Sequence, residues 1–487
     1  MSWPALALWA LLPLVAVSSG PAALYAASAF GAFMSLQMLP GEGQGMNLLP
    51  QTVFAAVLVG KIALARGNLL RGVEAALDPA RLGLFTAFMA YSILSAVILP
   101  RLFAGMVEVI PVSGADLNGA SLLIPRPGNI TQTAYMLISY LTVVAVAVVG
   151  SRRDFRQHYM KALLWGAATI IVSGLLDLAA DRVGATALLE PFRTVSYTLL
   201  TDVEAAGAKR VVGFTPEASA YGGLCVSIAS TILLLRPLYR EGALRLLATA
   251  AALGLLIMSA LSTSATAYAG CAALACVYGF DLARRIFDRQ AIGRDILGWE
   301  IGVLAIAALA AIAIVALAPS TVAPLFDVFD KIVFGKSDTY SFYQRSLWTR
   351  TGWQAFLDTG GLGAGLGSIR TSNWTVSILG STGVFGALLL FGFFLQKLAQ
   401  RTSHLPRQDA AFASALKLSL APYLVMNQLG GTIPDIGIAT AIVLGLLSSE
   451  AAAAQKRPST AARAAEPTAP AGRRPTAAEP SPLMSKP

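Results

Sequence analysis

The sequence predicts an all-α membrane protein, a polytopic transmembrane helical bundle of about 12 to 13 helices. Of its 487 residues, 56% are hydrophobic and only 13% are charged, whereas a soluble domain carries roughly 25% charged residues. The mean hydropathy is +0.66. The apolar residues also occur in blocks long enough to cross a bilayer, which takes ~20 residues of helix. Any chemistry of this protein is therefore expected at or near a membrane surface.

The apolar blocks alternate with loops that are rich in lysine and arginine. We predict helices near residues 4–18, 21–38, 47–65, 83–103, 131–150, 161–180, 217–236, 244–262, 265–283, 299–318, 373–396, 409–427 and 436–452. The basic loops between them are 66–82, 152–161, 236–245, 284–294 and 397–407. Retained lysine and arginine mark the cytoplasmic side of a membrane protein. We therefore expect these loops inside, and no nucleic-acid partner is needed to explain them.

The chain divides into a transmembrane domain, 1–452, and a tail, 453–487. The tail is rich in Ala, Pro, Ser, Thr and Arg and has no apolar periodicity, so we expect it to be disordered in the cytoplasm. Three loops on the outer side are longer than simple connections, namely 104–130, 181–216 and 319–372. Such long loops in a compact protein are usually functional or disordered, and we expect the functional residues there.

Neither a metal nor a cofactor is expected. The three cysteines, Cys225, Cys271 and Cys276, lie within apolar blocks, and their spacing matches no zinc or disulfide framework. Both histidines, His158 and His404, stand among basic residues between apolar blocks. The outer loops contain no carboxylate cluster of the kind that holds a divalent ion.

Positive charge in the outer loops requires an explanation, because the positive-inside rule disfavours it. The second outer loop carries Arg193, Lys209 and Arg210, and the third carries Lys331, Lys336, Arg345, Arg350 and Arg370. We expect these cations to handle an anionic ligand at the outer face.

The third outer loop contains a predicted amphipathic helix. Residues 342–357 show apolar side chains at helical spacing, which is typical of a short helix lying at the membrane interface. Arg345 and Arg350 lie roughly 140° apart on this helix, at about 100° per residue. They need not share a face, so two phosphate groups or two separate roles are possible.

A glycine run follows this helix and includes Gly363, Gly365 and Gly367. Glycine permits positive φ and lets backbone amides approach a ligand closely. Repeated amides in such a turn form an anion-binding nest. A flexible reconnection to the next helix explains the run equally well.

Several segments resemble the O-antigen ligase/polymerase family. They are Arg345–Trp348, the glycine run ending in GLGS, the GSTGVFG stretch of Gly380–Gly386, and RVVGFTPEASAYG of Arg210–Gly222. The order is also similar, with an arginine, a GF-x-x-E segment, a serine-rich hairpin at Ser262–Thr266, and then the long outer loop. Arg350 and Gly361 show the arginine–ten residues–glycine spacing of these polymerases. The resemblance is clearest over residues 205–390.

The resemblance implies a metal-independent, inverting glycosyltransferase of the membrane-embedded C type in a bacterial inner membrane, with its outer loops periplasmic. Its donor would be an oligosaccharide on undecaprenyl pyrophosphate, used in exopolysaccharide or O-antigen synthesis. A chain-length-determining co-polymerase would be a further partner. Fixed arginines would stabilise the negative charge that develops on the leaving pyrophosphate.

One departure from the family bears on the reaction. O-antigen ligases commonly have a functionally important histidine in the large outer loop, and residues 319–372 contain none. This favours a polymerase, with the ligase as the alternative. A general base would then be a carboxylate, and Glu217 is the candidate, with Arg345 as the second catalytic residue. A helix N-cap explains Glu217 equally well.

The remaining arginines are candidates for binding pyrophosphate or glycan. Arg210, Arg350 and Arg370 join Arg345 in this role. The alternative for Arg210 is an interfacial anchor, and for Arg370 a residue that ends the loop among the lipid headgroups.

A transporter or flippase is the main competing class of protein. Such proteins place ionisable residues at membrane depth, and Asp177 and Lys417 lie within or near the end of predicted helices. A non-catalytic scaffold for polysaccharide export is a third interpretation.

Overall fold

The computed structural model of this chain is mostly helical. It describes residues 1–18, 21–39, 47–112, 119–197, 199–201, 204–205, 208–288, 290–317 and 340–455. Residues 318–339 of the third outer loop, including Lys331 and Lys336, and residues 456–487 of the tail lie outside the described residues. The predictions for those segments stay predictions.

A helix forms at each of the predicted apolar blocks. The first seven are α1 (Trp3–Val17), α2 (Pro21–Ala29), α3 (Pro50–Leu64), α4 (Asn68–Leu77), α5 (Gly83–Leu102), α6 (Pro127–Val149) and α7 (Arg153–Arg182). They are followed by α8 (Ala218–Leu235), α9 (Gly242–Leu261), α10 (Ala265–Phe287), α11 (Leu297–Leu317), α12 (Tyr340–Asp358), α13 (Trp374–Ala399), α14 (Arg407–Gly430) and α15 (Ile438–Gln455). Each of the thirteen predicted segments overlaps one of these helices, and two further helices lie elsewhere, α4 within the predicted basic loop 66–82 and α12 within the third outer loop.

The length and composition of the described helices support a multi-pass membrane protein. Seven are long and apolar enough to cross a bilayer, namely α5, α6, α7, α8 with the turn after it, α9, α10 and α13. The pair α3 and α4 qualifies only together and is bent by 106°. The helices α1 and α15 are apolar but shorter. The coarse fold prediction is therefore confirmed, whereas the count of 12 to 13 spans stays a prediction.

Consecutive helices run back and forth, so that distant loops meet at one end of the bundle. We call the end at which α6, α8, α10, α13 and α15 begin the site face. There, Asn373 before α13 donates to the Gln428 carbonyl near the end of α14 at 2.8 Å. Asn129 at the start of α6 donates to the carbonyl of Leu366 at 2.7 Å. The segments before and after these helices therefore form one surface.

The basic loops meet at the opposite end, which we call the basic face. Arg156 near the start of α7 pairs with Asp409 near the start of α14 at 2.8 Å. Arg81 donates to the carbonyls of Ala147 and Ser448, which lie toward the ends of α6 and α15. Gathering of the basic loops at one end is what the positive-inside interpretation requires. That this end faces the cytoplasm stays a prediction.

A buried ionic network attaches α11 to the bundle at the basic face. Arg285 Nη1 lies 2.7 Å from Glu300 Oε2, and Arg236 contacts the other oxygen of the same carboxylate. Arg285 also pairs with Asp281 at 2.9 Å. Removing one member of such a buried network leaves an uncompensated charge, so these residues fix the start of α11.

The outer segments contain small elements that the sequence did not predict. An antiparallel pair, β1 (Glu108–Val109) and β2 (Ser121–Leu122), lies in the first segment. A second pair, β3 (Glu204–Ala205) and β4 (Ala208–Lys209), lies in the next one. The predicted helix at 342–357 is confirmed as α12, which packs against α13.

Candidate functional site

Glu217 and Arg345 form an ion pair between the start of α8 and α12 on the site face. Both carboxylate oxygens of Glu217 accept from Arg345 Nη2 at 3.3 Å. The Ser219 hydroxyl contacts Glu217 Oε1 and lies 3.4 Å from Arg345 Nη2. Glu217 occupies the N-cap position of α8, but its side chain makes no capping hydrogen bond. The carboxylate thus serves an ion pair rather than a helix cap.

A strained turn between α9 and α10 holds Arg210. Its Nε donates to the Ser262 carbonyl at 3.2 Å and to Thr263 Oγ1 at 3.1 Å, and its Nη2 donates to the Thr263 carbonyl at 3.1 Å. Thr263 has φ of 45°, a left-handed conformation that a β-branched residue rarely adopts and that tends to cluster at functional sites. Within the described chain, Nη1 of Arg210 has no hydrogen-bond partner.

Arg370 lies over the ring of Trp348. Its guanidinium carbon is 4.2 Å from the ring centroid, and its backbone amide donates to the Ile110 carbonyl at 2.8 Å. Trp348 is only 8% exposed and follows Arg345 by three residues, which places the two on one helix face. Both the side chain and the backbone of Arg370 are therefore held by the protein, rather than simply ending the loop at its surface.

The three arginines and Glu217 form one electrostatic cluster. Burial lowers the pKa of Arg210, the Glu217 carboxylate partly restores it, and the charge of Arg345 lowers it further. The same three influences, in the same directions, act on the pKa of Arg370. An arginine nevertheless stays charged in a protein. The cluster therefore couples three positive charges electrostatically to one carboxylate.

Two of the outer cations have a structural role instead. Asp177, which is fully buried, accepts from Arg193 at 3.2 Å and from Lys209 at 3.1 Å. Its second oxygen accepts the backbone amides of Val212 and Gly213. Arg193 and Lys209 thus neutralise an internal carboxylate. The expectation of an anionic ligand rests on the other outer arginines.

Arg350 lies apart from this arrangement. It is exposed on α12, and among the described residues it forms no ion pair. A contact of Arg350 with a substrate stays a prediction.

The glycine run packs into the helices instead of forming an open nest. The amide of Ala364 donates to the Gly380 carbonyl at 2.7 Å, and that of Gly365 donates to the Ser381 carbonyl at 2.9 Å. These carbonyls lie beside a break in α13 at Gly383, which has φ of 65°. The amide of Gly363 donates to Thr359 Oγ1 at 2.9 Å. The two glycine-rich motifs of the sequence therefore bind each other.

Close approach explains why glycine stands at three positions of the run. A Cβ on Gly363 would lie 2.8 Å from the Gly383 nitrogen, and one on Gly365 would lie 2.8 Å from the Ser95 carbonyl oxygen. A Cβ on Gly367 would lie 2.3 Å from the carbonyl oxygen of Gly128. We call residues 359–369 the glycine wedge. Close packing accounts for the glycine at all three positions, and pyrophosphate binding by them stays a prediction.

We expect Gly367→Ala to destabilise the protein by roughly 2 kcal/mol or more, because it combines a backbone clash with a positive φ. Gly360→Ala is the matched control. Gly360 also has positive φ, 61°, but a Cβ there would meet nothing within 4 Å, so about 1 kcal/mol is expected. Thermal unfolding of the purified proteins in detergent measures the difference. Equal stability of the two variants would contradict the wedge packing.

Sequence reasoning missed Ser219, Thr263 and Trp348 as partners of the site residues. The spacing of Arg345 and Trp348 was a usable signal, because residues three apart on a helix share a face. No local sequence pattern identifies Thr263 as a partner of Arg210, because its conformation depends on the turn that it forms. In the described ranges, no group of three or more His, Cys, Asp or Glu side chains could hold a metal ion.

Comparison with known proteins adds no family assignment. No family model matches the chain. No curated protein matches it either.

Proposed function

We propose that this chain polymerises lipid-linked oligosaccharide repeat units of a bacterial exopolysaccharide or O-antigen. The repeat units are carried on undecaprenyl pyrophosphate, and transfer takes place at the periplasmic side of the inner membrane, with the tail in the cytoplasm. In this proposal, the enzyme is a glycosyltransferase of the membrane-embedded C type. The resemblance of residues 205–390 to the O-antigen ligase/polymerase family supports the reaction type.

One observation carries the proposal. Arg210, Arg345 and Arg370 come from three separate segments on one face of an apolar bundle; Arg345 pairs with the Glu217 carboxylate, and the charge of that carboxylate also acts on Arg210 and Arg370. Guanidinium groups are suited to phosphate oxygens because their planar fork donates two parallel hydrogen bonds. A carboxylate among them supplies a group that accepts a proton. These are the parts that a glycosyl transfer from a pyrophosphate requires.

In the proposed reaction, an acceptor hydroxyl attacks the anomeric carbon of the donor sugar. The bond from that carbon to the pyrophosphate oxygen breaks on the opposite side, so the configuration inverts. Glu217 takes the proton of the hydroxyl, and the arginines stabilise the charge on the leaving group. No residue in this scheme needs a metal ion.

The observations that favoured a transporter have structural explanations. Asp177 is neutralised by Arg193 and Lys209. Lys417 donates to the carbonyl of Gln400, the residue after α13 on the basic face, which is how a lysine reaches a membrane surface. The polymerase and the ligase share the same arginine site, so the acceptor separates them.

Reconstitution tests this proposal. Purified protein in liposomes is given lipid-linked repeat units isolated from the source cell, with EDTA in a parallel sample. We expect products of increasing length in both samples. Growth that EDTA abolishes and magnesium restores would overturn the metal-free mechanism. Transfer to a different acceptor alone would make the protein a ligase, and no transfer at all would contradict both enzymes.

A further inference from the structure

We propose that the Glu217–Arg345 ion pair is an exchangeable contact that couples proton transfer to departure of the leaving group. When Glu217 gains the acceptor proton, Arg345 passes from the carboxylate to the pyrophosphate. This inference rests on the proposed function and assigns an order of events to its site.

The geometry of the pair suits an exchange. Arg345 reaches both carboxylate oxygens through a single nitrogen, Nη2, at 3.3 Å. A strong arginine–carboxylate pair uses two nitrogens in parallel, at about 2.7–2.9 Å. The two side chains are also 24% and 34% exposed, so a ligand can reach them. The ion pair is therefore long, formed through one guanidinium nitrogen, and accessible to a ligand. The other N–H groups of Arg345 can donate hydrogen bonds to phosphate oxygens.

The other two arginines are held by neutral groups and have no such exchange to make. Arg210 is bound by two backbone carbonyls and a hydroxyl, and Arg370 lies on an indole ring. Among the described residues neither forms an ion pair with Glu217, so that carboxylate offsets their positive charge only through its field. Arg210 and Arg370 can thus hold the donor pyrophosphate from the start, whereas Arg345 is partly neutralised until Glu217 is protonated.

The charges balance through the reaction. Before it, three arginines and one carboxylate give the cluster a net charge of plus two, which matches the roughly two negative charges of a pyrophosphate diester. Cleavage leaves the bonding electron pair on the terminal phosphate oxygen, which adds one negative charge that this phosphate retains above its second pKa of about 6. In the same step, the proton from the acceptor oxygen neutralises Glu217, and the net charge of the cluster rises by one. Neutralisation of Glu217 therefore leaves the charge of Arg345 available to stabilise the additional negative charge on the leaving pyrophosphate.

Ser219 keeps the carboxylate in place during this exchange. Its hydroxyl donates to Glu217 Oε1 and also accepts from Arg345 Nη2 at 3.4 Å, and the bond to Glu217 does not need Arg345 as a donor. After Arg345 leaves, Glu217 therefore retains a hydrogen-bond partner and its orientation toward the acceptor. Ser219 is in this scheme a positioning residue.

The test measures binding of farnesyl diphosphate, a short prenyl pyrophosphate, to the purified full chain in detergent by titration calorimetry. Glutamine stands for the protonated carboxyl, so Glu217→Gln should bind this ligand on the order of tenfold more tightly than the wild type. The affinity ratio measures the coupling between protonation of Glu217 and pyrophosphate binding, because linkage is reciprocal. Arg345→Ala should bind at least tenfold more weakly.

Asp358→Asn is the control for a general change of charge. Asp358 is an exposed carboxylate on the same helix, thirteen residues from Arg345, which is roughly 20 Å along the helix at 1.5 Å per residue. Its affinity should equal that of the wild type, and a gain as large as that of E217Q would contradict a specific exchange. Should E217Q fail to fold, Glu217→Ala carries the same test.

The outcomes separate the two proposals. If the wild type binds farnesyl diphosphate and E217Q binds it equally or more weakly, the exchange is wrong and the polymerase proposal stands. If neither the wild type nor any variant binds it, the arginine cluster is no pyrophosphate site, and both proposals fail.

Discussion

Replacing Arg345 by lysine should lower the rate of chain growth by roughly 100-fold, and replacing it by alanine should lower it by about 1000-fold. Lysine keeps the charge but lacks the planar fork that binds two phosphate oxygens. Losing one preorganised stabiliser of a transition-state charge typically costs on the order of 3 kcal/mol. The measurement is the initial rate of polymer formation in liposomes that contain equal amounts of folded protein.

Arg240→Ala is the control for Arg345. Arg240 is an exposed arginine on the basic face, where it lies 3.2 Å from the Gln408 side-chain oxygen. It should leave the rate unchanged once insertion is matched. Full activity of both Arg345 variants at equal expression would show that Arg345 has no part in catalysis. A loss as large in R240A as in R345A would point to a general effect of arginine removal on the membrane protein.

Glu217→Gln should reduce the rate by on the order of 100- to 10,000-fold, the usual contribution of a general base. The amide has nearly the same shape as the carboxylate but cannot accept the proton. Because the Glu217 side chain makes no capping hydrogen bond, a large change in stability is not expected. Rate and thermal unfolding are measured on the same preparations.

The opposite result for Glu217 is equally informative. A fully active E217Q would leave the three arginines as the site, and the acceptor hydroxyl would then react without a protein base. Asp358→Asn again serves as the control, because it removes a carboxylate from α12 at a distance from the cluster. Its rate should match that of the wild type.

The sequence predicts the helical character of the chain, and it marks Glu217 and Arg345 individually without showing that they meet. Apolar blocks and basic loops depend on composition over ~20 residues, which a single sequence displays directly. Arg345 and Glu217 each belong to a motif that marks them as candidates, and the structure brings together these two residues, which lie 128 positions apart in the chain. Their role in catalysis stays a prediction.

The sequence was insufficient wherever a role depends on a distant partner. Arg193 and Lys209 looked like free outer cations because nothing local shows that both point to Asp177. The glycine run allowed an anion nest or a flexible connection, and its actual contacts are with α5, α6 and the break in α13. Close approach of three backbones is a tertiary property, so spacing alone could not reveal it.

The glycine wedge has a consequence for protein engineering. Outer loops of membrane proteins are often treated as modules that can be exchanged between relatives to change specificity. Here residues 359–369 interlock with Gly380, Ser381 and Gly383 of α13, with the end of α5 and with the start of α6. A chimera with its downstream junction at Trp374 would cut through this interlock. The exchanged segment should instead continue to the end of α13 at Ala399, and the contacting positions of α5 and α6 should come from the same parent. Both sides of the interlock then have matching sequences.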